Sequence, residues 1–502
     1  MGYAEKRGNY WRGRYKIGPG KYGTVSDANG ATIRFEKKRD AENAANEAEA
    51  DIRKGKWRDP AAGGVTFGEY VRRWYAAQDL AASTMQNYRR HIEEHLLPMF
   101  EQTALREILS TDVNTWEKQE RGVGYAESSI KTWRGTLHLI LADAVEEGLI
   151  DTNPAARRRG RGKRAGRSKS RGPEKAVTTA LGVLLIAERA ALLSGRDDEF
   201  VAIVTKGFTG MRWGELVGLE EEYVRSASVR VEWQLYELDT GELHRCPPKD
   251  DSHRTIDIPP WHAELLIAHL AHNRRAACSC HGRNYVFSGH RVANGAVRQA
   301  GAKLIDVARL ASVSTGTVSA VLNRPETVRE GTRRLVEAAI SELGYVRGGA
   351  SGALAAHWRR TGFATWLFQP AVTGWYPQKA PSPARPVPLV GNPWPGIPVR
   401  GRNAAGRADA CWLPVAKGLT PHGLRHTHRT LLVELGVPTK LIDERMGHAD
   451  GSVQGRYTHV TAPMRERLLE DLTGLWETAL DARRAMCATS PVQALDWLLR
   501  AT

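Results

Sequence analysis

Cysteine is scarce in this chain: five in 502 residues, at Cys246, Cys278, Cys280, Cys411 and Cys487. An odd count without a paired framework argues against disulfides and for a reducing cytoplasm. Cys278-Ser-Cys280-His281 has zinc-ligand types, but the spacing is tight and a fourth ligand is missing, so no metal is expected. No long apolar run is present, which excludes a membrane-spanning helix, and no signal peptide is read. Gly18-Pro-Gly-Lys21-Tyr-Gly-Thr24 is phosphate-like but lacks P-loop spacing, so it reads as a turn. Acidic residues are the minority: 56 against 72 Lys and Arg, a net charge of +16. That balance favours a polyanionic partner, bound in a salt-sensitive way.

The most informative stretch is Thr420 to Val460. His422 and Arg425 are followed by His448, 26 positions after His422, and by Tyr457, 9 further on. Thr209-Gly-Met-Arg212-Trp-Gly-Glu215 supplies a second arginine far upstream. Metal-free attack on a phosphodiester needs these residue types. Guanidinium forks such as Arg212 and Arg425 donate paired hydrogen bonds to phosphate oxygens. A tyrosine phenol with a pKa near ~10 needs an activated phosphate or a base. His422 is suited to general acid–base work, and His448 can donate a further hydrogen bond to developing charge. The leaving 5′ oxygen needs a proton, which Lys249 could supply from an Asp-rich turn. Its flanks, 229–235 and 254–258, read as short strands. Arg245 and Arg254 lie close by as competitors for that role.

The set Arg212, Lys249, His422, Arg425, His448 and Tyr457 resembles the tyrosine recombinase (phage integrase) family, of the actinobacterial type. The resemblance implies Tyr457 as nucleophile, Arg212 and Arg425 as phosphate clamps, His422 as general acid/base and Lys249 as general acid. His448 then occupies the position that is histidine or tryptophan elsewhere in the family, and Glu215, three residues after Arg212, orients that arginine. A 3′-phosphotyrosyl link forms without ATP, metal or other cofactor. The implied partner is double-stranded DNA bearing attachment sites, worked on by a homotetramer, with a directionality factor or host DNA-bending protein in addition. The setting is a cytoplasmic, nucleoid-associated enzyme encoded by a bacterium or phage. Two other readings stand beside the recombinase: a transcriptional regulator on a dead recombinase scaffold, and a type IB topoisomerase-like nicking-closing enzyme.

The expected fold is multidomain, mainly α with small β elements. Residues 1–58 read as a basic α+β module. Strand-like alternation covers 9–17, Asn29-Gly30 marks a hairpin, and Asp40 caps a helix to about Lys54. The resemblance makes it an arm-type DNA-binding domain. Residues 65–155 read as helical. A capping box at Thr66 and Glu69 opens a first helix, and Ser83 begins a second that ends near Pro98. A third begins at Thr111 or Asp112, and a fourth runs from Ser128 or Ser129 to Glu147. By resemblance this block is the core-binding domain. A linker over 156–173 holds nine basic residues between Arg157 and Arg171, among them Arg158, Arg159, Arg161, Lys163 and Arg164, which suit phosphate contacts.

The catalytic domain is placed at 174–480, mixed α/β, with a helical tail over 481–502. Arg212 to His422 spans 210 positions, roughly twice what the resemblance requires. The excess holds two interruptions. Residues 303–346 closely resemble the helix-turn-helix headpiece of the lac repressor family, which sets an all-α insertion at 301–347. Its helices are expected at 305–311, 314–322 and 331–343, with Ser314 capping the recognition helix and 350–360 echoing a hinge. Ser314, Thr315 and Thr317 are its candidate DNA contacts. Base-reading positions fall on Thr315, Gly316 and Ala320, which lack long hydrogen-bonding side chains. The second interruption, 369–409, is rich in proline and glycine and reads as an irregular surface excursion carrying Trp375 and Trp394. The C-terminal helix is expected to dock either on a neighbouring protomer or within its own chain.

Overall fold

The computed structural model describes residues 2–27, 30–54, 62–156, 174–273, 277–278, 280–289, 304–314, 317–318, 320–321, 328–342, 357–378, 383–401, 403–448 and 459–500. Tyr457, Thr315, Gly316 and the basic linker from Arg157 to Arg171 lie outside them. The chain divides into two compact units, Met1–Ser170 and Arg171–Thr502. It is multidomain and mainly helical, with small sheets.

The first unit opens with a three-stranded antiparallel sheet, Tyr3–Arg7, Tyr10–Gly18 and Lys21–Thr24. The tight turn after Gly18 is the glycine-rich segment, with Gly20 at φ +73°. The expected strand after Gly30 is absent; Thr32 and Phe35 make only isolated bridges, to Ser26 and Trp11. The helix Lys38–Arg53 follows. Asp40 sits inside its first turn rather than capping it, where its charge still favours the helix dipole.

The capping box at Thr66 and Glu69 forms, the backbone N–H of each meeting the other's side chain at 3.2 Å. It opens the helix Phe67–Ala76, which buries Phe67, Tyr70, Val71 and Trp74. The second helix begins as Ala82–Arg90 and ends two residues past Pro98. It widens to a π segment, His91–Leu96, and continues through Leu97–Phe100. The wider turn accommodates a residue that has no backbone N–H to donate. Helices Ser110–Val123 and Glu127–Glu146 complete the bundle around Trp116, Leu137 and Ile140.

In the second unit the helix Asp197–Thr209 is buried on every side, packed between the helices Ala180–Ser194 and Gly423–Glu434. Its apolar run Phe200–Val204 suits that central place. The hairpin region is more divided than its sequence suggests. Ser228–Val231 pairs with Arg254–Asp257, while Gln234–Glu237 pairs with Leu243–Cys246. Between Cys246 and Arg254 lies a one-turn 3-10 segment, Lys249–Asp251, with Asp250 and Asp251 at positive φ.

Leu304–Leu310 and Glu330–Glu342 flank a small core of Val307, Ala308, Ala311, Val318, Val321, Val336 and Ala339. Ser314 accepts the Thr317 backbone N–H at 3.0 Å, the cap that its sequence position predicts. Trp358, within the expected hinge, is instead buried in the large hydrophobic core of the second unit. The proline-rich segment is also more ordered than a surface excursion. Gln369–Thr373 is a buried helical turn, and Pro388–Val390 pairs with Ile397–Pro398 and Ala410–Cys411. Strands this short tolerate proline because few ladder bonds depend on it.

The last long helix, Ala462–Met486, runs through residue 480, and Gln493–Arg500 folds back to bury Leu495, Leu498 and Leu499 in the same core. Arg483 donates two bonds to Glu188, at 2.8 and 2.6 Å, and Trp394 stacks over its guanidinium. The tail therefore docks on its own chain.

Candidate active site

Arg212 precedes the short helix Trp213–Val217, and Glu215 lies one turn on. The Glu215 carboxylate accepts from the Arg212 backbone N–H and from its Nη1, both at 2.8 Å. The same buried carboxylate accepts from Arg254 Nη2 at 2.7 Å and Nη1 at 3.1 Å. Burial alone works to raise its pKa, but Arg254 and then Arg212 outweigh that and hold Glu215 down at about 2. Arg212 also donates to Ser252 Oγ at 2.9 Å and to the Gly447 carbonyl at 3.2 Å.

Arg425 sits on the helix Gly423–Glu434 and is 4% exposed. It donates to the Gly210 carbonyl at 2.7 Å, to the Met446 carbonyl, and to His448 Nε2 at 3.0 Å. The two arginines come from segments over 200 residues apart and meet at one turn, Met446-Gly447-His448. A guanidinium carries five N–H donors. Three on each arginine are engaged by described residues, which fixes the forks and leaves donors for a ligand. Burial first, then the like charge of Arg212, lowers Arg425 to about 10, so it remains a cation at neutral pH.

Glycine is required at one point of this turn and at one point of the segment packed on it. Gly447 has φ +65°, and a Cβ there would sit 2.9 Å from Arg254 Nη1. Gly210 has φ +67°, and its Cβ would lie 2.7 Å from both His428 Cδ2 and Met446 Sδ. The turn can approach the arginines because neither residue carries a side chain.

His422 is the N-cap residue of the Arg425 helix, exposed, one turn before Arg425. Desolvation, followed by the charges of Lys206, His426 and Arg425, lowers its pKa, while solvent contact screens those charges. A neutral imidazole at neutral pH is what a general base requires. His448 has its Nε2 against Arg425 and its Nδ1 3.5 Å from Asp443 Oδ1. Arg429 Nη1 also lies 3.2 Å from Nδ1, so a guanidinium faces each ring nitrogen.

Lys249 is exposed, and its carbonyl accepts from Ser252 N, so its loop is the one that touches Arg212. The two competitors are engaged elsewhere. Arg245 pairs with Glu220 at 2.7 Å and stacks 3.6 Å over Trp233, and Arg254 is committed to Glu215. Arg212, Glu215, Arg425 and His448 are thus tied into one network, with His422 and the Lys249 loop beside it. Tyr457 is not placed, nor are Arg157, Arg158, Arg159, Arg161, Lys163, Arg164 and Thr315.

Two residues escaped the sequence reading. Ser252 bridges the lysine loop to Arg212. Lys206 is 2% exposed, donates to the Met211 carbonyl, and is lowered by burial to about 7. A lone lysine in the apolar run 200–208 was the available signal.

Residues 402–463 match the phage integrase family, and residues 66–119 match the phage integrase N-terminal SAM-like domain. Residues 303–348 match the bacterial regulatory proteins of the lacI family. A prophage phiRv2 integrase of Mycobacterium tuberculosis is 26% identical over 250 residues, covering 47% of this chain and 61% of the relative. The integrase of Mycobacterium phage D29 is 24% identical over 225 residues, covering 42% and 54%. Tyrosine recombinase XerD of Oceanobacillus iheyensis is 49% identical over 47 residues, covering 9% and 16%. The chain therefore spans under two thirds of the length of these relatives. Among solved structures, the Tn1549 transposon integrase in complex with a circular intermediate DNA aligns at TM-score 0.46 and 15% identity, covering 81% of this chain and 99% of that one. A likeness that weak carries no argument about the site. The matched segments and their relatives establish that this chain carries phage integrase family domains, is homologous to integrases and tyrosine recombinases, and holds a lacI-family segment within its sequence.

Proposed function

We propose that this protein is a site-specific DNA recombinase, an integrase that cuts and rejoins duplex DNA through a 3′-phosphotyrosyl link at Tyr457. The observation that carries this reading is the convergence of Arg212 and Arg425 on the Met446-Gly447-His448 turn. Two fixed guanidinium forks with donors to spare suit a phosphodiester, whose charge rises during in-line attack. His422, held neutral at neutral pH, is suited to take the tyrosine proton. Lys249, exposed on the loop beside Arg212, is suited to protonate the leaving 5′ oxygen. His448 would donate a hydrogen bond to the phosphate once DNA occupies the site, with Nε2 turned from Arg425 and carrying the imidazole proton. No step calls for ATP or a metal.

The wider assignments belong to the same proposal. Residues 1–58 serve as an arm-type DNA-binding domain, 65–155 as the core-binding domain and 156–173 as a phosphate-contacting linker. The lacI-family segment contacts DNA through Ser314, Thr315 and Thr317. The partner is duplex DNA with attachment sites, recombined by a homotetramer in the cytoplasm. Among the described residues, no helix is long and apolar enough to cross a membrane.

The test is a duplex carrying the element's own junction with a bridging phosphorothiolate that traps the adduct. Wild type is expected to yield a covalent protein–DNA species on denaturing gels, and Tyr457→Phe none. No adduct from either protein, with tight duplex binding retained, would favour the regulator reading, for which the lacI-family match speaks.

A further inference from the structure

Four metal-ligand side chains meet outside the catalytic network. Cys278, Cys280, His281 and His357 place one ligand atom each so that all four lie within 4.8 Å of one another. The sequence offers three of them in four positions. The fourth comes from 76 positions downstream of His281, beyond the lacI-family segment, and only folding brings it in.

The local backbone is built to hold them. Gly282 N donates to the Cys278 carbonyl at 2.7 Å, Cys278 N donates to the Arg283 carbonyl at 2.8 Å, and Gly282 has φ +65°. This tight turn sets Cys278 Sγ 3.4 Å from His281 Nδ1. A tetrahedral zinc with sulfur and nitrogen ligands puts neighbouring ligand atoms roughly 3.3–3.8 Å apart, so this edge already has the needed length. His281 Nε2 faces the Leu243 carbonyl at 2.8 Å, which leaves Nδ1 for a metal and fixes the ring as outer hydrogen bonds do at metal sites. Both ring nitrogens of His357 are shielded from solvent, and among the described residues neither has a hydrogen-bond partner of good geometry. A half-buried imidazole with shielded nitrogens in that state lacks an acceptor for its N–H. The Tyr285 hydroxyl lies 3.1 Å from His281 Nδ1 and would turn aside on metal binding.

Position gives the cluster a purpose. Gly289 and His357 lie on either side of the 290–356 segment, and a Cβ on Gly289 would sit 2.9 Å from the His357 carbonyl carbon. Arg196 holds the carbonyls of Ser288 and Gly289 at 2.8 and 2.9 Å, and Trp358 donates to Glu199 at 3.1 Å. Trp358 also packs against Trp213, the neighbour of Arg212.

We propose that Cys278, Cys280, His281 and His357 bind a zinc ion that closes the neck of the inserted segment. Two thiolates and two imidazoles select a borderline-soft divalent cation over magnesium or calcium. The absence of a fourth ligand in the local sequence had argued against a metal; His357 removes that objection.

The test is metal analysis of the full chain purified without chelator, together with exchange to cobalt. Wild type is expected to hold about one zinc per chain, and the cobalt form to show the visible bands of a tetrahedral thiolate site. Cys280→Ser and His357→Gln should each lose the metal with an unchanged circular dichroism spectrum, while Cys411→Ser keeps it. Cys280 is exposed, so its variant decides the matter if His357→Gln misfolds. Failure of wild type to retain zinc or to take it up at micromolar free metal would overturn the proposal. So would a Cys280→Ser variant that binds as tightly as wild type.

Discussion

The Glu215 carboxylate accepts two hydrogen bonds from Arg254, at 2.7 and 3.1 Å, and from there reaches Arg212 at 2.8 Å. A buried anion shared with Arg254 thus fixes Arg212 by direct contact. Glu215→Gln keeps the shape but leaves Arg254 buried without its counter-charge, a loss of about 3–5 kcal/mol. Because the folded pKa is depressed to about 2, the carboxylate's stabilisation is fully present above the unfolded value near ~4.3 and is lost as pH falls towards 2. Urea melts from pH 6 down to pH 3 should therefore show wild type converging on Glu215→Gln. A gap that stays constant with pH would count against this account.

Lys249→Ala should fold normally, since the side chain is exposed. Its cleavage rate should fall on the order of 10²–10⁴-fold, the usual worth of a general acid. A 5′-bridging phosphorothiolate substrate needs no protonation of its leaving group and should restore most of that rate. If Lys249 only contacts DNA, the sulfur substrate will give no rescue.

Gly447→Ala adds a Cβ at φ +65° and 2.9 Å from Arg254 Nη1. The strained backbone costs roughly 1–2 kcal/mol, and the displaced turn carries the carbonyl that Arg212 holds. Adduct formation should drop more than duplex affinity does, measured side by side on the same DNA.

The buried Glu188–Arg483 pair ties the tail to the Ala180–Ser194 helix, with Ser490 Oγ also donating to Glu188 at 2.6 Å. Arg483→Leu leaves an unpaired buried carboxylate and should cost about 3–5 kcal/mol in thermal or urea unfolding. The double change Glu188→Leu with Arg483→Met should recover much of it. If the single and double variants are equally unstable, packing rather than charge accounts for the loss.

The lowered pKa of His422 makes a kinetic prediction. Single-turnover cleavage should persist as pH falls through the ordinary histidine range near ~6.5 and decline only below it. A midpoint at or above that range would show that His422 titrates freely in the working complex.

The sequence alone determined the elements and chemistry that depend on neighbours in the chain. The Thr66–Glu69 capping box, the Ser314 cap and the chemical types of the site were legible because local hydrogen bonds and spacing specify them. The second helix ends at Phe100, close to the Pro98 expected, but the π turn that precedes that proline is not encoded by propensity. The proline-rich segment was misread because buried contacts from Val387, Leu389 and Trp412 order it despite its composition. Tertiary structure alone decided which cation goes where. Arg254 went to Glu215, Arg245 to Glu220 and Trp233, and Lys249 stayed exposed. It also brought His357 to a cysteine turn across an insertion, and turned the tail onto its own chain. Those outcomes rest on burial and on charge pairing between residues hundreds of positions apart, and local sequence carries no record of distance in space.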